Sequence, residues 1–392
     1  MQFFFNRLLL SLLMVVLILP PCGSAETEKD LTTPITNQGK KWRIGYLEGG
    51  PYINYPTNLR ALVTALAELG WLESVDIPQQ ADENDTRKLW EWLAGNIKSR
   101  YVEFPADAYW SNNWDNTIQE KSRKKILARL NQKKDIDLMI AMGTKAGQEL
   151  ANNDHRVPTL VLSSSNPVQS GIIKGIDDSG FDHVNARVDP TRYERQIRIF
   201  HSIFNFQKLG IVYEQNTPDG KTYAAIDEVE KVARELHFEI VPCNAPFSNV
   251  SMEEAQKALL ECHQTIAPKV DAFYLTVHRG VSLQNMPALL KPFYDRKIPV
   301  FSQTGSSEVE HGVLLSIARA NFKYVAMFHA TTIARIFHGA EPRKLNQIFE
   351  DPPRIAINLK AAQIIGYDPS VDILGAADEI YDTIRKCEIK NQ

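Results

Sequence analysis

From Trp42 onward the chain alternates two patterns: short apolar runs, and longer segments whose apolar residues recur at three- and four-residue intervals. The first pattern predicts buried strands and the second amphipathic helices. RIGYL (43–47) leads through Gly49, Gly50 and Pro51 into TNLRALVTALAELG (57–70), where Leu and Ala fall at helical spacing. The unit recurs as YVEF (101–104), a helix over about 115–132, DLMIAM (137–142), a helix from about 145, and TLVL (159–162). After a polar stretch at 177–190 the same order restarts. A helix over 193–204 precedes KLGIVYE (208–214), a helix over about 221–236, FEIV (238–241), a helix over about 253–266, DAFYLTV (271–277), a helix to about 296, and IPVFS (298–302). A run at 312–317, a helix over about 320–338 and RIAINL (354–359) complete the series.

Strands that alternate with helices predict parallel sheets with crossover helices on both faces. Two successive units of similar size predict an α/β protein of two Rossmann-like lobes. On this pattern the first lobe takes 42–185 with 318–341, the second 186–317 with 342–388, and the late helix crosses back to the first. Ligands of open parallel sheets bind outside the carboxyl ends of the strands, so strand-end turns of the two lobes are expected to face one cleft.

The N-terminus departs from the pattern. Arg7 supplies positive charge, 8–19 is an apolar run, and Pro20 and Pro21 break it before Gly23, Ser24 and Ala25. This is the form of a secretory signal peptide (1–25) cleaved after Ala25, and the run is shorter than the ~20 residues that span a bilayer. Leu19, Pro20 and Pro21 do not suit lipidation at Cys22. Residues 26–41 read as a polar, unstructured leader. Export leaves Cys243, Cys262 and Cys387, for which a Cys243–Cys262 bridge and three unpaired thiols both stay open. A net charge of −3 gives no sign of a nucleic-acid-binding surface.

The candidate chemistry is that of holding a molecule. Gly220, Lys221 and Thr222 follow a strand and open a helix, like the end of a phosphate-binding loop, but Gln215 stands where the pattern needs glycine and Pro218 removes a donor. No HExxH, GxSxG or CxxC occurs, and the nine histidines are not spaced as metal ligands; no catalytic residue, metal or cofactor is expected. Two turns carry backbone amides and hydroxyls at the starts of helix-like segments: Gly143, Thr144 and Lys145, and Ser164, Ser165 and Asn166. Such positions favour a carboxylate or another electron-rich group, although Thr144 and Ser165 also suit helix caps. His278 ends a strand and either faces the cleft or is a solvated turn residue; Glu308 and Glu310 read as a solvated face. All six tryptophans lie between Trp42 and Trp114. Trp110 and Trp114 follow a strand end and either wall the cleft, stacking on a flat ligand, or pack beneath a long loop, whereas Trp90 and Trp92 read as packing.

The ordered series RIGYLEGGP, DLMIAMGTKAGQELANN, VPTLVLSSSNPVQSGII, LGIVYEQN, VDAFYLTVHRGV, KIPVFSQTGSS and PRIAINLKAAQIIGY resembles the ABC-transporter substrate-binding protein family whose known members bind aromatic amino acids, a branch of the type I periplasmic binding fold. The likeness runs from about 42 to 381. It implies first-lobe ligand contacts at Glu48, Gly49, Gly143, Thr144, Ser164, Ser165 and Asn166, and second-lobe contacts from Glu214 to Asn216, Thr276 to His278, and Ser302, Gln303 and Thr304. The family often carries an acidic residue in the turn after the IPVF-like strand, where this chain has Gln303, Thr304 and Gly305; Glu48 and Glu214 are the candidate substitutes for reading an amino group. Residues 72–100 exceed the usual linker. The implied function is a periplasmic receptor that delivers a small polar ligand, such as an amino acid, to an inner-membrane ABC permease; a sensory subunit docking on a membrane kinase or chemoreceptor, and an exported α/β enzyme, are the alternatives.

Overall fold

The computed structural model describes residues 30–78, 85–317, 322–352 and 354–386; the apolar run, Cys22, the Ala25 cleavage site and Cys387 lie outside them. Among the described residues no helix is long and apolar enough to cross a membrane.

Two sheets carry the alternation. The first contains β1 (Trp42–Glu48), β2 (Val102–Glu103), β3 (Tyr109–Ser111), β4 (Leu138–Met142), β5 (Thr159–Leu162) and β6 (Val184–Ala186), in the order β2-β1-β4-β5-β6, all parallel. The second contains β7 (Lys208–Tyr213), β8 (Glu239–Asn244), β9 (Ala272–Leu275), β10 (Val300–Ser302), β11 (Leu315–Ile317), β12 (Ile355–Asn358) and β13 (Ala377–Tyr381), in the order β13-β12-β11-β10-β9-β7-β8. There β11 and β12 run antiparallel and the other pairs are parallel. The two-lobed α/β class expected from the pattern is the one observed.

Several local expectations need correction. YVEF is not one strand: pairing stops at Glu103, Pro105 has no N–H to continue it, and the chain rejoins the same edge of β1 at Tyr109. The helix expected over 221–236 is two, Pro218–Ala224 and Ile226–Leu236, broken where Ala225 takes a left-handed φ of 53°. No α-helix follows the serine turn. Asn166 Oδ1 accepts from Gln169 N at 3.0 Å, and the single turn ends at Gly171.

The leader is not unstructured over its described part. Trp71 Nε1 donates to Thr32 O at 3.0 Å, Trp42 Nε1 donates to Ile35 O at 2.9 Å, and His338 Nε2 meets Thr33 O at 2.7 Å. An indole N–H in a packed core needs an acceptor, and this segment supplies it. Phe337, the last residue of the helix Lys323–Phe337, stacks on Trp42 at 4.4 Å and lies 5.3 Å from Trp71, so the late helix belongs to the first core.

Residues 72–100 contain the helix Thr86–Asn96, which buries Leu89, Trp90 and Leu93 in the same core. Trp90 is packing, as expected. The pairing left open in the sequence is settled by a Cys243–Cys262 disulfide between β8 and the helix Met252–Ile266, with Cα atoms 5.7 Å apart; closing a loop of this size contributes ~3 kcal/mol.

Where the chain passes between sheets after β6, Val188 pairs with Ile348. The Asp189 carboxylate beside them is 2% exposed and accepts from Arg195 at 2.9 Å and Arg187 at 3.1 Å; Arg187 also reaches Asp351 at 2.8 Å.

Two predictions follow from these contacts. A chain beginning at Gln38 rather than Glu26 loses the acceptors of both indoles. An unsatisfied buried donor costs ~1–3 kcal/mol, so its urea midpoint should fall, and equal midpoints would show that the clamp contributes nothing. The second concerns Glu149, which is 4% exposed. Its Oε2 accepts from Asn112 Nδ2 at 2.8 Å, while Glu149 Oε1 and Asn112 Oδ1 lack partners among the described residues. Burial pushes the carboxyl up to about 7, so its stabilising contribution is present below the unfolded value of 4.5 and lost as pH rises through 7. Glu149→Gln should therefore be more stable than wild type at pH 8, with a gap that shrinks toward pH 4.5 in chemical unfolding.

Candidate ligand-binding site

The carboxyl ends of β1, β4 and β5 bring three first-lobe turns together. At the end of β4, Gly143 has φ 87°, and a Cβ there would lie 1.8 Å from the Tyr55 hydroxyl oxygen. Glycine is therefore required on two counts: a left-handed backbone and contact with a phenol. Thr144 opens the helix Thr144–Leu150 without capping it. Its hydroxyl lies 3.3 Å from Ser164 Oγ and accepts from Ser165 N at 3.4 Å, which ties the two turns to each other. Beside them Trp114 donates its backbone N–H to Gly49 O at 2.8 Å and its indole N–H to Pro51 O at 3.1 Å.

Second-lobe residues meet this surface directly. Tyr193 donates its hydroxyl to Ser165 O at 3.0 Å, Asn166 Nδ2 donates to Glu228 Oε1 at 3.1 Å, and Gln169 Nε2 donates to Asp227 Oδ2 at 2.7 Å. Lys145 forms an ion pair with Asp219, and Tyr223, whose ring stacks on Phe247 at 5.8 Å, lies beside Thr144. The lobes thus touch across the strand ends, with Tyr52, Tyr55 and Tyr223 supplying aromatic surface among the polar contacts.

Not every residue singled out in the sequence reaches these turns. Trp110 lies elsewhere: it pairs beside Leu47 in β3, and its ring packs under the Arg129 guanidinium at 5.5 Å, where Arg129 is held by Asp107 and Asp135. Glu48 is fully buried and accepts from Tyr46 at 2.9 Å and Tyr109 at 2.8 Å. Burial raises its pKa against the lowering effect of those hydroxyls. Glu214 accepts from Ser248 Oγ at 2.6 Å, Ser248 N at 3.1 Å and Thr217 Oγ1 at 3.0 Å. Burial works against these bonds, yet they hold its pKa below the ordinary carboxylate value. Both carboxylates are occupied by the protein itself.

His278 is neither in the cleft nor solvated. It is 3% exposed, with Nε2 at 3.1 Å from Ala245 O and Nδ1 accepting from Gly280 N at 3.0 Å, and burial pushes it down to about 4. Thr276 turns its hydroxyl inward to Val212 O at 2.6 Å, and Asn216 is exposed. Lys221 is exposed too. Its neighbour Gly220 serves close packing, because a Cβ would lie 2.1 Å from Glu214 O.

At the end of β10, Gln303 Oε1 accepts from Val277 N at 2.6 Å, and Thr304 N donates to Ser302 Oγ at 3.1 Å. Here the solvated-face expectation for Glu308 fails. Glu308 is 5% exposed, accepts from Ser302 Oγ at 2.6 Å, and is pushed by burial up to about 7. Glu310 is the solvent-side member and pairs with Arg385 at 3.3 Å. Arg192, the first residue of the helix Arg192–Phe204, reaches Gln303 O at 3.4 Å. The residues at these turns that the sequence did not single out are Tyr52, Tyr55, Arg192, Tyr193, Tyr223 and Glu228. Tyr52 and Tyr55 follow the Gly49-Gly50-Pro51 turn closely enough to have been suspected, but the other four belong to helices without a motif.

Among the described residues no group of three His, Cys, Asp or Glu is placed to hold a metal. Comparison with known proteins agrees with a binding architecture. A family model described as ABC transporter substrate binding protein matches residues 109–381. The Tyrosine-binding protein of Clostridioides difficile (strain R20291) is 22% identical over 172 residues, 43% of this chain and 46% of that protein, so the chain spans about half the length of the curated relative it matches. Among solved structures, a conserved domain protein from Vibrio cholerae is 17% identical with a TM-score of 0.65 over 87% of this chain and 100% of that one. An ABC domain in complex with L-Trp from Streptococcus pneumoniae is 18% identical with a TM-score of 0.63 over 86% of this chain and 99% of that one. A ligand-free, open substrate-binding protein with adhesive properties from Clostridium difficile is 17% identical with a TM-score of 0.59 over 87% and 99% of the two chains. At these identities the structural likeness establishes the fold. The family match, which covers well over half of the residues, establishes that this chain belongs to the ABC transporter substrate-binding protein family.

Proposed function

We propose that the chain captures a small polar molecule between two lobes, 42–185 with 318–341 and 186–317 with 342–388, and delivers it to an ABC-type permease without chemical change. The observation that carries this reading is the meeting of the Thr144, Ser165 and Asn166 turns with second-lobe Tyr193, Tyr223 and Glu228. A ligand that contacts both sides of such a junction favours the closed arrangement by its differential affinity for it. Export by the 1–25 segment would place this capture in the periplasm, where the Cys243–Cys262 bridge is maintained. The relatives named for tyrosine and L-Trp put amino acids first in a ligand panel.

A thermal-shift screen of amino acids, purines and small carboxylates, followed by calorimetry, tests capture; no stabilisation by any compound would overturn it. Loss of uptake of the identified ligand in a strain lacking the chain distinguishes delivery from sensing, since a sensory subunit leaves uptake intact.

Two further outcomes are expected with that ligand. Trp114 touches the Gly49 turn whereas Trp110 packs under Arg129, so Trp114→Phe should reduce the ligand-induced change in tryptophan emission and Trp110→Phe should keep it. Thr144→Ala and Ser165→Ala should each weaken binding by about 1–3 kcal/mol, roughly five- to hundredfold, if each hydroxyl hydrogen-bonds the ligand. Unaltered affinity in both variants would overturn their contact with the ligand, and lowered apo stability in Thr144→Ala would assign that hydroxyl to the architecture of the turns alone.

A further inference from the structure

The loop that carries Trp114 is held in an uncommon conformation. Asn113 and Trp114 take left-handed φ values of 50° and 59° in succession, a region that a bulky side chain rarely enters and that persists only where neighbours impose it. Trp114 lies on the Gly49-Gly50 turn through its hydrogen bonds to Gly49 O and Pro51 O, so closely that a Cβ on Gly50 would stand 2.6 Å from the indole nitrogen. The start of the loop is fixed by Asn112. This residue is 2% exposed, donates its backbone N–H to Glu48 O at 3.1 Å and accepts from Asp115 N at 2.8 Å.

The Asn112 side chain has one partner, Glu149. Its Nδ2 donates to Glu149 Oε2 at 2.8 Å, while Asn112 Oδ1 and Glu149 Oε1, both buried, have no partner among the described residues. An ionised carboxylate and an amide carbonyl can only accept, so as a carboxylate Glu149 would leave two buried acceptors, one on each member of the same pair. A single proton removes both defects: a carboxylic acid donates its O–H to the amide carbonyl while its own carbonyl accepts the amide N–H. The charged groups beside Glu149 are engaged elsewhere. Arg123, which with Gln119 comes from the helix Asn116–Ala128, pairs with Asp154 at 2.7 Å, and Lys145, four residues earlier on the helix of Glu149 itself, pairs with Asp219. Burial outweighs the pull of Arg123 and favours the neutral acid.

We infer that Glu149 is a positioning residue: it keeps its proton, closes a cyclic acid–amide pair with Asn112, and thereby holds the Trp114 turn against Gly49 and Gly50. When the proton leaves to solvent, a carboxylate oxygen and the amide carbonyl face each other as two acceptors, the pair opens, and Trp114 is released from the turn. The helix of Glu149 begins at the Gly143-Thr144 turn, so the pair also joins that turn to the tryptophan loop. Only the effect on ligand affinity rests on the capture function proposed above; the proton and the brace do not.

The test uses the full exported chain. In infrared difference spectra the band of a protonated carboxyl should disappear as pH rises through about 7, and Glu149→Gln should remove that component while buried Glu308 keeps its own. Tryptophan emission without ligand should change over the same range in wild type and lose most of that change in Trp114→Phe. It should stay constant in Glu149→Gln, whose amide makes both hydrogen bonds to Asn112 at every pH. Asn112→Leu, which offers no hydrogen bond, should give the high-pH emission already at pH 5.5, and it decides the matter should Glu149→Gln not fold. If Glu149→Gln removes no carboxyl component, the protonated pair is overturned. If the emission change is absent or independent of Glu149, the positioning of Trp114 is overturned. With the compound identified by the screen, wild type should bind roughly threefold or more weakly at pH 8.5 than at pH 5.5, and Glu149→Gln should lose that difference; equal pH dependence in both overturns the link to capture. A chain that binds no compound overturns capture and leaves this inference to the first two measurements.

Discussion

A buried carboxylate between two arginines sets the geometry on which the cleft depends. Asp189 sits where the chain leaves the first sheet, and the arginines that neutralise it come from its own crossing segment and from the first helix of the second lobe. Arg187 ties the same point to Asp351 on the returning segment. Removing one partner of such a cluster leaves a desolvated charge, whose cost is several kcal/mol. The crossing segments are thus held in register beside each other where the chain passes between the two sheets.

Polar groups at the strand ends divide into two kinds. Glu48, Glu214, Thr276 and His278 are consumed by the protein: each has hydrogen-bond partners supplied by its own lobe. Their task is to hold the turns in shape. Asn166, Lys145, Tyr193 and Tyr223 instead reach the opposite lobe. Groups of the second kind join the two lobes across the strand ends.

How much of this was legible can be judged from particular residues. Strands such as β4 and β7 are nearly continuous apolar runs because they are covered on both faces, and their hydrophobicity placed the turns at Gly143 and Glu214 correctly. Strands β6 and β13 escaped notice because Val184–Ala186 and Ala377–Tyr381 are short and lie in polar surroundings. Glu308 was misjudged for a related reason. Spacing two residues from Glu310 says nothing about depth, and only the fold places one carboxylate under the β10 turn and the other against Arg385. Trp110 was assigned by its position near a strand end, but alternation in β3 sends it to the face opposite Tyr109 and Glu48. Arg192 was beyond sequence reasoning, since only the fold brings it to the Gln303 carbonyl at the end of β10.

The clamp around Trp42 and Trp71 bears on the order in which the molecule can be assembled. Its parts are the carbonyls of Thr32 and Ile35, the two indoles, and Phe337 with His338 from the far end of the chain. Contacts of such long sequence separation form late, because loop closure must precede any gain from them. A nascent chain that has yet to include Phe337 holds an incomplete first lobe, with Trp42 and Trp71 lacking their ring contact, while the second lobe still awaits β12 and β13. Synthesis of nearly the whole polypeptide therefore precedes native folding of either half, and the growing chain stays in a form that a holding chaperone can bind and a narrow channel can thread.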